Sequence, residues 1–381
     1  MTREAIAFVR QAACWTAVAV TGLLGVPATA EAQFTVRDFV VTAGGSAEGY
    51  RGNLPTVGSP VTDSAEVVSA FAGELALRTN ADYRSGSGGT FLFSFDGGVR
   101  QFNASGFEQR DYSPREWVGT LDLGYGRALS ETVGFRAHTR IRGRELEDRP
   151  PMPLFLQPGY RAVEGSLVVD FDGPRGVVYD VELTGAKTDF FAPAFAPQVR
   201  LLDREGVEIE AGAVIASGAS TLRIFAGVQA SRYPKQETFA PEDPFRSDRT
   251  FQGGVSWTRQ AGYLLQIELD ARANRSNSLR PEYDAFTLRA LYSTSLPREL
   301  SLSLYGAYSV KQYLHASEFA RLLPGEEADN ASLAYVSLSR SLAMNLDGTF
   351  RVGWTRAETE IGDAYFQRFG GSFALHYRPS F

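Results

Sequence analysis

Residues Tyr263 to Asn274 read YLLQIELDARAN, and the fold turns on how those twelve positions alternate. In an extended chain Tyr263, Leu265, Ile267, Leu269, Ala271 and Ala273 share one face, while Gln266, Glu268, Asp270, Arg272 and Asn274 share the other. Helical spacing would scatter both sets around a cylinder, whereas a period of two gathers them. The segment therefore predicts a strand with one oily side and one wet side.

The same reading recurs along the chain. In Thr90 to Val99 the apolar face is Phe91, Phe93, Phe95, Gly97 and Val99, and in Arg115 to Arg127 it is Trp117, Gly119, Leu121, Leu123 and Tyr125. Such runs reach about ten residues or more, the length of a tilted strand that crosses a hydrocarbon layer and longer than the usual soluble strand. They fall at 38–50, 65–79, 89–102, 115–127, 132–145, 160–172, 177–188, 204–215, 221–233, 249–258, 263–275, 283–295, 300–311, 331–340, 346–357 and 367–381. That makes about sixteen strands, or fourteen or eighteen if one faint hairpin is miscounted. Their connections alternate too: short ones at 128–131, 173–176, 259–262, 296–299 and 342–345, longer ones at 51–64, 103–114, 146–159, 189–203, 234–248 and 312–330. The connection at 80–88 is longer than this rhythm prefers.

Composition narrows the setting. The 381 residues are 44% hydrophobic and 22% charged, and no apolar run of about 20 residues follows position 30, which excludes a helical membrane protein. A net charge of −6 argues against a nucleic-acid partner, which would ask for a basic face. Arg3 and Arg10, the apolar stretch Ala12 to Val26, and small residues at Ala28, Ala30 and Ala32 predict a cleaved signal peptide over residues 1–32. The single cysteine, Cys14, falls inside it, so residues 33–381 form the expected mature domain with no thiol chemistry and no cofactor.

Strands in lipid cannot leave amides unpaired, so such a sheet must close on itself. Aromatics near the predicted strand ends, among them Tyr50, Trp117, Tyr125, Tyr160, Tyr179, Trp257, Tyr263, Tyr292, Trp354 and Phe369, would form interfacial girdles. On this alternation, this rhythm of turns and the C-terminal residues Phe373, Leu375, Tyr377 and Phe381, the chain resembles the bacterial outer-membrane β-barrel superfamily. Pro379 departs from the family's terminal pattern. The resemblance implies an all-β, transmembrane, antiparallel up-and-down β-barrel in the outer membrane, contacting its lipid. It also implies recognition of the last strand by the barrel-assembly machinery. No subfamily is indicated, and oligomeric state is not legible.

Function must then be read from the inward face. On the fifth predicted strand Val133, Phe135, Ala137, Thr139 and Ile141 face lipid, and Arg136, His138, Arg140, Arg142 and Arg144 form a lumenal ladder. Carboxylates stand nearby: Asp122 on the fourth strand, Glu164, Asp170 and Asp172 on the sixth, Asp180 and Glu182 on the seventh, Glu208 and Glu210 on the eighth. Two readings follow. Opposed charged walls set up a field that sorts permeating solutes, or the same groups close into salt bridges that stiffen and partly fill the barrel. The proline- and aromatic-rich stretches 150–158 and 190–197 either fold over the mouth or pack on themselves.

His138, His315 and His376 lack a catalytic motif, and metal-ligand spacing is absent, so no enzymatic chemistry is expected. The expectation is a porin-like channel for passive diffusion of small hydrophilic solutes through a charged lumen. The alternatives are a non-conducting structural or polymer-export barrel, and an outer-membrane hydrolase.

Overall fold

The computed structural model describes residues 33–52, 55–56, 59–60, 68–86, 88–105, 114–147, 159–192, 197–238, 242–278, 282–314, 332–358 and 365–379. The expected signal peptide, Phe381, His315 and the stretch 150–158 lie outside the described residues. Sixteen antiparallel strands close into one barrel. They are β1 (Gln33–Gly52), β2 (Val68–Arg84), β3 (Thr90–Ser105), β4 (Arg115–Ala128), β5 (Val133–Glu147), β6 (Tyr160–Asp172), β7 (Val177–Phe190), β8 (Arg204–Ser217), β9 (Ser220–Glu237), β10 (Phe245–Gln260), β11 (Tyr263–Ser276), β12 (Tyr283–Leu296), β13 (Leu300–Tyr313), β14 (Ser332–Ala343), β15 (Leu346–Glu358) and β16 (Tyr365–Tyr377). Each expected strand corresponds to one of these, in order. A two-residue ladder, Pro55–Thr56 with Ser59–Pro60, decorates the first long connection.

Every strand pairs with its sequence neighbours, and β1 pairs with β16 to close the cylinder. Connections on one rim span two to five residues and on the other six to eighteen. The outer face carries the oily set: Phe71 is 63% exposed in the isolated chain, Leu75 54%, Ile209 54% and Phe373 51%. A soluble protein would hide such a band. Lipid hides it here. Aromatic pairs ring the short-turn rim on this outer side, with Phe91 against Tyr125 at 4.8 Å, Phe171 stacked on Tyr179 at 5.5 Å and Tyr263 near Tyr292 at 5.9 Å. Their polar tips suit the headgroup level.

Three sequence expectations need correction. The connection at 80–88 shrinks to 85–89, because Asn80 to Arg84 continue as strand against the first residues of β1, Gln33 to Asp38. The expected loop 234–248 is likewise mostly strand: β9 runs past Pro234 by means of a register shift between Tyr233 and Glu237. A bulge there accommodates the proline, which has no ladder donor. Tyr160 is not a girdle residue. It pairs in register with Arg144, shares that residue's lumenal face, and meets the Phe190 ring at 5.9 Å.

The closing seam runs from Val41 opposite Tyr377 to Gly52 opposite Phe366. Its backbones approach closely. A side chain at Gly370 would bring its first carbon to 2.7 Å from the Ala47 carbonyl oxygen, and one at Gly44 to 2.7 Å from that of Phe373. Gly370→Val should therefore destabilise the closed barrel by about 1–3 kcal/mol, the cost of overpacking against backbone that cannot retreat. Urea titration of reconstituted protein reads this, and an unshifted midpoint would mean the seam is looser than it looks.

Candidate functional site: the barrel lumen

The pairing register carries a face assignment round the whole circumference, because directly opposed residues point the same way. Asp122 opposes Arg140, Arg140 opposes Glu164, and Asp170 opposes Asp180, so these groups share the inner face. From β9 the parity of the lumenal positions changes on several strands: Arg223 on β9 and Arg289 on β12 are the inward residues.

The β5 ladder is neutralised by its immediate neighbours. Arg136 meets Asp170 at 3.0 Å, Arg140 meets Asp122 at 2.6 Å, and Arg142 meets Glu164 at 3.6 Å. Arg144 pairs with Glu116, and Nε2 of His138 lies 3.1 Å from the same Asp122 oxygen that Arg140 uses. On β4 to β6, four guanidiniums thus face four carboxylates. Glu116 was absent from the expected partners, although its even position in β4 put it on the face of Asp122. It is 5% exposed and also lies 3.7 Å from Arg100, which reaches Glu48 at 3.1 Å and Glu74 at 3.4 Å.

The acidic wall of β7 and β8 stands beside the ladder but is not bonded to it. Asp180 and Glu210 both bind Arg223 of β9, at 3.0 and 2.7 Å. Glu208 accepts a hydrogen bond from Gln252 of β10 at 2.5 Å, and Glu182 accepts one from Thr184 at 3.2 Å. Of these four carboxylates, two are bonded to a guanidinium, that of Arg223. Asp172 belongs to neither group: it ends β6 at the short-turn rim, exposed, with its N–H donating to the Thr132 carbonyl at 2.9 Å. On β11 and β12, Arg289 holds Glu268 and Asp270, each at 2.6 Å.

All of these ion pairs join strands that are neighbours or one strand removed. They lie along the wall. None of them reaches across the cylinder, so the side chains that could have filled the interior are drawn sideways instead. In the short-turn half the interior holds a cavity of about 610 Å³, bordered by β1 to β3 and by β13 to β16. His376 sits there between the hydroxyls of Thr42, at 2.9 Å, and Thr349, at 3.2 Å.

Near the long-loop rim one polar cluster is buried, made of Arg246, Asp248, Gln236 and Asp203. Arg246 holds Asp248 through two nitrogens at 3.0 and 2.6 Å, lies over the Tyr233 ring at 4.2 Å, and donates to Gln236 at 3.2 Å. Gln236 in turn donates to the Leu201 carbonyl, and Lys235 pairs with Asp203, whose other oxygen accepts the Phe190 N–H at 2.6 Å. The described part of the 190–203 segment thus packs on itself, Phe190 and Ala192 against Val199 and Leu202, and is pinned to the wall.

A closed sheet that is oily outside and charged inside is a transmembrane β-barrel. No family model matches the sequence, and no curated protein matches it. Among solved structures it is similar to a BenF-like porin from Pseudomonas fluorescens Pf-5, with 10% identity and a TM-score of 0.43 over 92% of this chain and 99% of that one. It is similar also to OmpT, an outer membrane protein of Vibrio cholerae, with 8% identity and a TM-score of 0.42 over 93% and 100%. A bacterial polysaccharide outer membrane secretin matches with 10% identity and a TM-score of 0.40 over 89% and 98%. At such distance these likenesses say nothing about solutes, and function rests on the lumen itself.

Proposed function

We propose that the protein is a porin-like channel for passive diffusion of small hydrophilic solutes, with no covalent chemistry. The observation that carries this reading is the sideways pairing of the lumenal charges. A barrel of sixteen strands is wide enough for water, and salt bridges that hug the wall leave its axis to solvent. Arg136, Arg140, Arg142 and Arg144 with Glu164 and Asp170 form a charge-balanced strip. Asp180, Glu182, Glu208 and Glu210 keep a surplus of negative charge. In this reading the surplus attracts cations into the lumen.

The assembly role of the last strand belongs to the same proposal. Phe373 and Tyr377 stand out into lipid at 51% and 49% exposure, with Leu375 on the same face. An apolar edge of that kind suits capture by machinery that inserts barrels.

Planar bilayers test the channel directly. Purified protein should add conductance in discrete steps that persist without applied pressure or ligand. A protein that inserts, resists denaturant as a folded barrel and yet passes no current would instead be a structural or export barrel.

A further inference from the structure

The lumenal arginines described above each hold a carboxylate, but Arg351 on β15 does not. Its guanidinium lies over the Tyr335 ring, 4.6 Å from the centroid, and Tyr335 in turn stacks on Tyr305 with centroids 5.1 Å apart. Among the described residues Arg351 has no ion-pair partner, and it is exposed. The stack thus steadies the guanidinium and leaves its N–H edge to water. On the other flank of the closing seam stands Glu74 of β2. It shares Arg100 with Glu48 and Glu116, and its side chain is 41% exposed where theirs are 10% and 5%. Between these two banks the wall is low. Glu74 opposes Gly44, Gly44 opposes Ala374 and Ala374 opposes Thr349, while Arg351, the next lumenal residue of β15, opposes Ser372. Glu74 and Arg351 therefore border the cavity of about 610 Å³ from its two sides. Its other charged groups lie nearer the short turns, where Arg78 meets Asp96 at 2.8 Å, Arg378 meets Asp347, and Asp38, Glu299 and Arg340 stand at the mouth.

We infer that this recess across the seam binds short zwitterionic peptides of two or three residues, with the C-terminal carboxylate on Arg351 and the N-terminal ammonium on Glu74. The charges fit in kind, since a guanidinium fork takes a carboxylate through two nitrogens and a carboxylate accepts from an ammonium. The spacing fits as well. The backbones of β2 and β15 are three strand spacings apart, about 14 Å. Arg351 leans toward β14 and Glu74 toward β3, so the two head groups do not close that gap on each other. A contact of about 3 Å at each end leaves about 8 Å, filled by two or three extended residues at about 3.3–3.6 Å each. A single amino acid reaches one bank only. Along the floor the hydroxyls of Ser372 and Thr349 donate or accept, which suits the N–H and C=O groups of a peptide bond. A solute with one charge satisfies one bank and meets repulsion or nothing at the other.

The inference deepens the channel reading and rests on solutes entering the lumen. Its test is equilibrium dialysis of folded protein in an uncharged detergent against labelled alanyl-alanine at neutral pH, where both of its ends are ionised. The N-acetylated dipeptide, the dipeptide amide and alanine are the comparisons. Alanyl-alanine should bind about tenfold more tightly than either blocked form, the value of one hydrogen-bonded charge, and more tightly than alanine. Arg351→Gln should abolish the preference over the amide, and Glu74→Gln the preference over the acetylated form. Asp38→Asn, at the mouth, should leave both preferences in place; losing either there overturns the assignment of Glu74. If Glu74→Gln fails to fold, the acetylated dipeptide still tests that bank in the unaltered protein. Equal binding of the three dipeptide forms, alanine bound as tightly as the dipeptide, or preferences indifferent to Arg351→Gln, overturns the inference. Dialysis needs no current, so peptide binding without conductance would sink the channel reading alone, and conductance without peptide binding would sink this one alone.

Discussion

Exchanging Arg136, Arg140, Arg142 and Arg144 together for glutamine is expected to drive the pore strongly toward cations. Each arginine holds a carboxylate on the lumenal side of the sheet: Asp170, Asp122, Glu164 and Glu116 in turn. Removing the cations leaves Asp170, Asp122 and Glu164 without these partners, added to the surplus on β7 and β8, while the buried Glu116 keeps Arg100 at 3.7 Å. In a tenfold KCl gradient the reversal potential should move toward the cation limit of about 59 mV. The shift should be largest at low salt, since at 0.1 M screening acts over about 10 Å. The converse triple variant, Glu182→Gln with Glu208→Gln and Glu210→Gln, should move it the other way. If neither variant alters the reversal potential, the wall charges do not govern permeation.

Arg246→Ala should cost the most stability of any single lumenal change. The Arg246 side chain is 7% exposed and that of Asp248 4%, so truncation strands a buried carboxylate with little more than the Asn274 amide, 3.3 Å away. Breaking one side of a buried pair costs about 3–5 kcal/mol. Arg136→Ala is the control, because its pair with Asp170 is 61% and 29% exposed and such pairs contribute about 0–1 kcal/mol. Urea unfolding in lipid vesicles compares the two. The Arg246 variant should also open the 191–203 connection to protease, since Arg246 braces Gln236 against Leu201. Equal midpoints for the two variants would show that the Arg246–Asp248 pair is not shielded from water.

How much of this was legible in the sequence depends on range. Alternation is a local property set by the lipid on one side, so Tyr263 to Asn274 and its fifteen counterparts disclose strand number, order and the lumenal placement of the β5 ladder. Strand ends beyond the membrane carry no such contrast, which is why Asn80 to Arg84 and the stretch around Pro234 read as loop. Partner choice is another matter. Asp180 and Glu210 stand two and three strands from the ladder, and Arg223 takes both, because register and strand stagger decide which tips meet. The Tyr305 and Tyr335 stack was hidden for the same reason: thirty residues separate them, and only the β13–β14 register sets them opposite each other.

The β1–β16 seam has a kinetic consequence. Every other contact in the sheet joins adjacent hairpins, but Thr42 and His376, hydrogen bonded across the seam, are 334 positions apart. Closing a loop of that length costs about 5 kcal/mol of chain entropy by the logarithmic rule, and no partial closure repays it, since the two end strands gain their last ladder together. The ring should therefore form late and in one step, with the open sheet as the species that waits.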